Sequence, residues 1–152
     1  MRVLLVCLGN ICRSPMAEGI LRAMIAQADL PWRTDSAGTG SSHVRQAPDK
    51  RAVKAMKDRG IDISDLRARQ LQPQDFEEFD LLLAMDASNL HNMRAVAPNA
   101  ELAKKARRMM DFAPNHALRE VPDPYFGSDE GFVAVYDMLT IACRNLINDV
   151  QR

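Results

Sequence analysis

The chain has 152 residues, 47% of them hydrophobic and 26% charged, which is ordinary for a globular protein. Lys plus Arg and Asp plus Glu number 20 each, so the formal net charge is zero. The length favours a single domain over residues 1–152. The balanced charge lacks the basic excess that is typical of nucleic-acid-binding proteins, so we expect no nucleic acid partner.

The three cysteines, Cys7, Cys12 and Cys143, are too few to form a disulfide framework. The apolar N-terminal run is shorter than the core of a signal peptide, and no stretch has the length of a membrane span. We therefore expect a cytoplasmic protein that does not insert into membranes. Cys7 and Cys12 also lack a partnering His or Cys pair at zinc-site spacing, so no metal is expected.

Patterns typical of strands and of helices alternate along the chain. The unbroken apolar run 3–6 predicts a strand covered on both faces, and Ser14 and Pro15 predict the N-cap and first position of a helix that continues to about Ala28. Residues 107–112 predict either a fourth strand or the extension of a helix from Glu101. The alternation predicts a parallel sheet with helices on both faces. The other predicted strands are 32–37 and 80–85, and the other predicted helices are 48–59, ended by Gly60, 88–96 and 129–150.

The segment CLGNICRS, residues 7–14, lies between the first predicted strand and the first predicted helix. Ligands of parallel sheets bind beyond the carboxyl ends of the strands, and the N–H groups of such a loop, together with a helix N-terminus, attract anions. Gly9 and Asn10 are residue types that tolerate left-handed backbone angles. We therefore predict an anion-binding loop. A Walker-type nucleotide loop is excluded because no Gly-Lys-Ser/Thr follows.

Cys7 and Arg13 stand at the two ends of this loop. The N–H groups, the helix dipole and Arg13 would favour thiolate over thiol and make Cys7 a nucleophile. The planar fork of Arg13 matches two phosphate oxygens, and the Ser14 hydroxyl could hydrogen-bond the sulfur. The alternative is that Cys7 is only a buried strand residue and Arg13 a surface charge. The combination of Cys, Gly, Asn, Arg and Ser at these offsets favours the nucleophile.

A thiolate nucleophile needs an acid that protonates the leaving oxygen, and Asp123 is the candidate. Pro122 and Pro124 stiffen the chain on both sides of it. Tyr125 and Phe126 add aromatic surface that could form the wall of a pocket for an aromatic substrate. The alternative is an ordinary Asp-Pro turn whose aromatic residues anchor a loop.

Four motifs resemble the low-molecular-weight protein tyrosine phosphatases, and the resemblance extends over essentially the whole chain. They are CLGNICRS at 7–14, DSAGT at 35–39, MDASN at 85–89 and DPYFG at 123–127. The resemblance implies a single-domain, three-layer α/β/α fold with a four-stranded parallel sheet. It also implies hydrolysis of phosphotyrosine and small aryl phosphates through a phosphocysteine intermediate, without a cofactor.

The resemblance further implies a role for each matched residue. Cys7 is the expected nucleophile, Arg13 the phosphate clamp, and Asp123 the general acid that later activates water. Cys12 matches a second cysteine that can form a reversible disulfide with the nucleophile under oxidation. The expected phosphate loop is Leu8, Gly9, Asn10, Ile11, Cys12, Arg13 and Ser14; the supporting residues are Asn10, Ser14, Ser36 and Asp86; and the substrate pocket contains Ile11, His43, Tyr125 and Phe126.

Several positions depart from the pattern of the family. Phe126 stands where relatives often carry a second tyrosine. Leu66 stands where many relatives have a histidine, so the hydrogen bonds that support Asn10 are expected to be arranged differently. Ser42 and His43 occupy a region in which relatives often place a Trp or Tyr beside the cleft. His43 is expected to line the cleft or to be a solvated loop residue.

Two other reactions on the same fold stay open as alternatives. Arsenate reduction needs further redox cysteines, whereas residues 80–100 contain none. Relatives that hydrolyse phosphoarginine tend to have a threonine before the second cysteine, where this chain has Ile11; the bulk of Ile11 favours a flat aromatic group. The expected partner is a phosphotyrosine-containing protein, for instance a bacterial tyrosine kinase, and the expected assembly is a monomer or a weak dimer.

Overall fold

A four-stranded parallel sheet forms the centre of the molecule. The computed structural model describes residues 1–151. The sheet has the strand order β2-β1-β3-β4, so β1 pairs with both β2 and β3. This topology confirms the predicted fold class. The strands are β1 (Arg2–Cys7), β2 (Arg33–Gly38), β3 (Leu81–Ala84) and β4 (Ala106–Arg108).

Helices cover both faces of the sheet, which completes the three layers. Side chains of α1, α2 and α6 pack on one face, and side chains of α3, α4 and α5 pack on the other. Within the described residues, no helix has the length and apolar character needed to cross a membrane. The helices are α1 (Arg13–Gln27), α2 (Lys50–Lys57), α3 (Asp75–Glu78), α4 (Ala87–Val96), α5 (Ala100–Ala103) and α6 (Asp129–Val150), with a 3-10 helix at Met109–Phe112.

The apolar run of β1 is unbroken because each face of the strand is covered. Val3, Leu5 and Cys7 belong to the core under α1 and α6, while Leu4 and Val6 belong to the core on the opposite face. Successive strand residues point to opposite faces, so a strand between two helical layers needs apolar residues at every position. Full burial of each such side chain contributes about 1.5–3 kcal/mol.

The predicted fourth strand is only partly confirmed. The strand is Ala106–Arg108, and the chain then turns into the 3-10 helix Met109–Phe112. Met109, Met110 and Phe112 all join the core on the α6 side. A strand would send neighbouring residues to opposite faces, whereas a helical turn brings these consecutive apolar residues to the same side. The four-residue helix α3 was not predicted, because so short a segment shows no helical period. Helix α5 lies where a helix from Glu101 was considered, but it ends at Ala103 and does not extend into residues 107–112.

The predicted N-cap of the first helix is wrong by two residues. Helix α1 begins at Arg13, its N-cap is Cys12, and no side chain caps it. Ser14 therefore lies inside the first turn, and its hydroxyl is hydrogen-bonded to Cys7 and Asn10 instead. The buried polar contacts of that hydroxyl take the place of the capping bond.

The carboxyl ends of three strands meet at one edge of the sheet. Cys7 is the last residue of β1 and Gly38 the last of β2, and the two are register partners. Residue Met85 directly follows β3, donates its N–H to Val6, and accepts a hydrogen bond from the N–H of Val121. The loops after β1 and β3 and the segment near residue 121 therefore converge at this edge.

Candidate active site

The sulfur of Cys7 is held at the end of β1 by two contacts. Its Sγ lies 2.9 Å from the Ser14 hydroxyl oxygen, and the backbone N–H of Asn10 donates to it at 3.3 Å. The Ser14 oxygen also accepts a hydrogen bond from the Asn10 amide at 2.7 Å. Because the amide hydrogen occupies the oxygen, the hydroxyl proton of Ser14 can point to the sulfur. This arrangement stabilises negative charge on Sγ.

Asn10 is the residue around which the loop is organised. Its φ is 58°, in the left-handed region, whereas Gly9 does not adopt a positive φ. The prediction of left-handed angles therefore holds for Asn10 alone. The Asn10 amide also donates to Ser36 at 3.0 Å, and its carbonyl oxygen accepts from the backbone N–H of Arg69 at 3.0 Å. Asn10, Ser14 and Ser36 thus lie together, and the backbone of Arg69 supports Asn10.

Glu18 extends this network and was not predicted. The Ser36 hydroxyl donates to the Glu18 carboxyl at 2.6 Å, and the side chain is buried in the first half of α1. Burial raises the pKa of Glu18 to about 7, only partly opposed by the Ser36 hydrogen bond. A signal was present in the sequence, because Glu18 is the only charged residue in the stretch 15–21 and follows Ser14 by one helical turn.

Gly38 lets β2 approach the loop closely. A Cβ at this position would lie 2.7 Å from the carbonyl oxygen of Leu8 and 3.2 Å from the Asn10 backbone nitrogen. No side chain fits there unless the loop moves. The glycine in DSAGT therefore has a steric role at the site, while Ser36 in the same motif has a hydrogen-bonding role.

Arg13 is buried in the floor of the site and is oriented by two neighbours. Its Nη1 donates to the Asp86 carboxylate at 2.7 Å and to the carbonyl oxygen of Val121 at 3.0 Å. The other carboxylate oxygen of Asp86 accepts the N–H of Asn89 at 2.7 Å and caps α4. Asp86 therefore fixes the guanidinium relative to the end of β3.

Asp123 faces the same guanidinium from the opposite loop. Its Oδ2 lies 3.8 Å from Nη2 of Arg13, and 41% of its side chain is exposed. Its Oδ1 accepts the backbone N–H of Tyr125 at 3.1 Å. The rings of Tyr125 and Phe126 meet edge to face at 4.9 Å, and Phe126 is 92% exposed. The carboxyl is thus open to a ligand and flanked by aromatic surface.

Several of these residues line a cleft of about 210 Å³. All four predicted pocket residues, Ile11, His43, Tyr125 and Phe126, line it. His43 is held by a 2.9 Å hydrogen bond between its Nδ1 and Gln46, and its ring lies 6.3 Å from that of Tyr125. Of the predicted phosphate loop, Asn10 and Ser14 are not among the residues that line the cleft. The rest of the lining is Cys7, Leu8, Gly9, Cys12, Arg13, Gly40, Ser42 and Asp123.

Cys12 lines the same cleft as Cys7. Burial raises the pKa of the Cys12 thiol to about 12, and the negative charge of Asp49 adds to the effect. Cys12 is therefore a neutral thiol at neutral pH. In the part of the chain that the structure describes, no group of three or more His, Cys, Asp or Glu side chains is placed to hold a metal ion.

The arrangement brings a cysteine, a guanidinium and a carboxyl together in one cleft at the start of a helix. The helix N-terminus and Arg13 provide positive potential for an anion. Cys7 and Asp123 both line the cleft, and the Asp123 carboxylate lies 3.8 Å from Nη2 of Arg13. Such a site is suited to the transfer of a tetrahedral oxyanion between a donor oxygen and a sulfur atom.

Comparisons with known proteins agree with this chemistry. The family described as low molecular weight phosphotyrosine protein phosphatase matches residues 2–152. A relative from Synechocystis, whose name places it among the low molecular weight protein-tyrosine-phosphatases, is 47% identical over 99% of this chain and 96% of its own length.

Two solved structures are similar over nearly the whole chain. A protein tyrosine phosphatase from Entamoeba histolytica with Hepes in the active site has a TM-score of 0.94 at 40% identity, covering 99% of this chain and 97% of that one. DARP, a Drosophila arginine phosphatase, also has a TM-score of 0.94, at 32% identity, covering 100% and 99%. Because the family match spans almost all residues and the fold agrees, the chain belongs to the low molecular weight phosphotyrosine protein phosphatases.

Proposed function

We propose that this chain hydrolyses phosphotyrosine in proteins, and small aryl phosphates, through a phosphocysteine intermediate. The observation that carries the proposal is the contact geometry of Cys7, whose sulfur accepts a hydrogen bond from the Asn10 N–H and is hydrogen-bonded to the Ser14 hydroxyl, in a cleft shared with Arg13 and Asp123. Family membership supports the same reaction.

In the first step, the Cys7 thiolate attacks phosphorus and the bond to the tyrosine oxygen breaks. Asp123 gives its proton to that oxygen, so the product leaves as a neutral phenol. The backbone of residues 8–14 and the Arg13 fork bind the three non-bridging oxygens. The positions of Asp86 and Val121 on Nη1 support this role, because they leave the Nη2 side of the guanidinium toward the cleft.

In the second step, water attacks the phosphorus of the phosphocysteine. Asp123, now a carboxylate, takes a proton from the water, and the sulfur leaves as thiolate. The hydroxyl of Ser14 stabilises that leaving group. Both half-reactions use the same residues and need no cofactor. Asn10, Ser36 and Asp86 act indirectly, because they hold the loop and the guanidinium in place.

The test is metal-free turnover of an aryl phosphate by the purified chain in the presence of EDTA. Cys7→Ser is expected to lower kcat by at least about a thousandfold, and vanadate is expected to inhibit competitively. Cys143→Ala replaces a buried cysteine of α6 that does not line the cleft; it is the matched control and should keep its activity. Acid-quenched protein should contain one phosphate bound to Cys7. Full activity of Cys7→Ser would refute the proposal.

The preference for phosphotyrosine over phosphoarginine is assigned to Ile11, which lines the cleft. Its branched side chain can contact a flat ring, whereas a threonine at the same position would leave more room and add a hydroxyl. We expect the wild type to hydrolyse a phosphotyrosine peptide with a higher kcat/KM than a phosphoarginine peptide. Ile11→Thr should reduce the ratio of these two kcat/KM values. The reverse preference in wild type would assign the chain to phosphoarginine hydrolysis instead.

The protein substrate is proposed to be a tyrosine-phosphorylated protein, for instance a bacterial tyrosine kinase. The exposed ring of Phe126 beside the cleft supports contact with a protein rather than a free phosphate ester. Capture of phosphoproteins by Cys7→Ser from the native cell would identify the substrate. If the variant and wild type capture the same proteins, the cleft does not select them.

Cys12 is proposed to protect the nucleophile by forming a disulfide with Cys7 after oxidation. Both cysteines line the cleft and both are free thiols. The high pKa of Cys12 predicts that the disulfide forms slowly near pH 7 and faster as the pH rises, because only the thiolate attacks an oxidised sulfur. Wild type that has been inactivated with peroxide should regain its phosphatase activity after treatment with dithiothreitol. Cys12→Ser should regain a smaller fraction of its activity.

A further inference from the structure

Arg51, in the first turn of α2, contacts the loop that carries Asp123. Its guanidinium donates to the carbonyl oxygen of Tyr125 at 2.8 Å and to that of Gly127 at 3.1 Å. Among the described residues, Arg51 is the only side chain outside 122–127 that hydrogen-bonds the backbone of this segment. The backbone that follows Asp123 is thus anchored by one arginine.

Asp49 connects the same arginine to the phosphate loop. Its carboxylate accepts Nε and Nη2 of Arg51 at 3.1 and 3.0 Å, a two-point contact that fixes the plane of the guanidinium. These hydrogen bonds keep the pKa of Asp49 below its usual range. The backbone N–H of Asp49 donates to the carbonyl oxygen of Ile11 at 2.8 Å. A continuous chain of contacts therefore runs from Ile11 through Asp49 and Arg51 to Tyr125.

Two aromatic rings also lie close to the Arg51 guanidinium. The Arg51 carbon Cζ lies 4.7 Å from the ring centre of Phe132 in α6 and 5.8 Å from that of Tyr125. Such contacts are favourable for a flat, delocalised cation. Arg51 makes contacts with α6, with the Asp123 loop and with the N-cap of α2 at the same time. A lysine could replace the charge but not this geometry.

We propose that Arg51 is a positioning residue that sets the Asp123 carboxyl relative to the phosphate loop. The inference rests on the proposed function, in which Asp123 protonates the leaving oxygen. The contacts of Cys7 and Arg13 do not involve Arg51, so its loss would leave the nucleophile and the clamp in place. The defect should therefore fall on proton transfer to the leaving group rather than on phosphate binding.

The test compares two substrates that differ in their need for a proton. Phenyl phosphate has a weakly acidic leaving group and needs the acid, whereas an aryl phosphate with a strongly acidic phenol needs it little. Arg51→Ala is expected to lower kcat/KM about 10- to 100-fold for phenyl phosphate and less than about threefold for the other. The kcat/KM of Arg51→Lys for phenyl phosphate should lie between those of wild type and Arg51→Ala. Lys50→Ala, the exposed neighbour in the same turn, is the control and should match wild type.

The double variant Arg51→Ala with Asp123→Asn separates positioning from general damage. If Arg51 acts through Asp123, the double variant should be no slower on phenyl phosphate than Asp123→Asn alone. Equal losses on both substrates, or losses that add, would overturn the inference. Asp123→Asn is measured in the same experiment. If it shows no dependence on the leaving group, the acid role in the proposed function is wrong and the inference for Arg51 falls with it.

Discussion

Glu18 shows how one buried carboxyl can set the pH dependence of the molecule. It accepts the Ser36 hydroxyl at 2.6 Å, whereas the other buried carboxyl at this end of the sheet, Asp75, is paired with the guanidinium of Arg69. Burial raises the Glu18 pKa from 4.5 to about 7, with Asp35 adding to the shift. The folded state therefore binds this proton more tightly than the unfolded chain does.

Glu18→Gln should remove this pH dependence. In wild type the contribution is fully present below about pH 4.5 and is lost as the pH rises to about 7, so the free energy of unfolding falls by on the order of 3 kcal/mol over that window. The amide keeps an oxygen for Ser36 and cannot ionise. Urea unfolding should show the variant more stable than wild type at pH 8 and similar at pH 5.

Glu77→Gln, an exposed carboxyl in α3, is the control for this measurement and should follow wild type at both pH values. A difference between Glu18→Gln and wild type that is the same at pH 5 and pH 8 would contradict the shifted pKa. Since Ser36 also contacts Asn10, activity should be measured on the same samples.

Two helical glycines of the chain differ in the space that surrounds them. A Cβ on Gly19 in α1 would lie 2.5 Å from Cγ2 of Ile63 and 3.1 Å from the Met56 methyl. A Cβ on Gly131 in α6 would meet Pro124 at an ordinary 3.5 Å. Replacement of glycine by alanine in a helix is worth about 1 kcal/mol where space allows. Steric contact decides which of the two positions can gain it.

Gly19→Ala should destabilise the protein by about 1–3 kcal/mol, because Ile63 is fully buried and cannot move its branched side chain away. Gly131→Ala should stabilise it by up to about 1 kcal/mol. Thermal and urea unfolding of both variants measure the difference. If Gly19→Ala is as stable as Gly131→Ala, α1 does not pack as closely on residues 61–63 as the structure shows.

At the scale of the whole molecule, the two faces of the sheet are covered by apolar cores of different size. The face under α1 and α6 carries the larger core, while the opposite face is covered by α4 and by the four-residue helices α3 and α5. Local opening requires less free energy where fewer apolar contacts are lost. The face covered by α3, α4 and α5 should therefore open first.

Amide hydrogen exchange should reveal this asymmetry. Residues of α3 and α5 are expected to exchange at least about tenfold faster than those of β1 and of the buried half of α1. Mass spectrometry of peptides after timed exchange in D₂O measures the rates. Uniform protection across both faces would show that the molecule opens only by global unfolding.

The anion-binding loop was predictable because its residues are neighbours in the chain. Cys7, Asn10, Arg13 and Ser14 fall within eight positions, and a strand followed by a helix leaves few ways to connect them. The apolar run of β1 was readable for the same reason, since both faces of that strand are buried. Asp123 was found by looking for an acid that a thiolate nucleophile needs, whereas Ser36 and Asp86 came only from the family resemblance.

Tertiary structure alone decided the contacts between distant segments. The pairing of Arg13 with Asp86 joins residues 73 positions apart, and the contact of Arg51 with Tyr125 joins residues 74 apart. The Glu18 carboxyl and the turn at Met109 likewise depend on what packs against them. Propensity and periodicity are properties of near neighbours, whereas these contacts depend on the path of the chain in space. The sequence thus determined the CLGNICRS motif and the order of the elements. Only the folded chain brought the distant residues that support the site into contact with it.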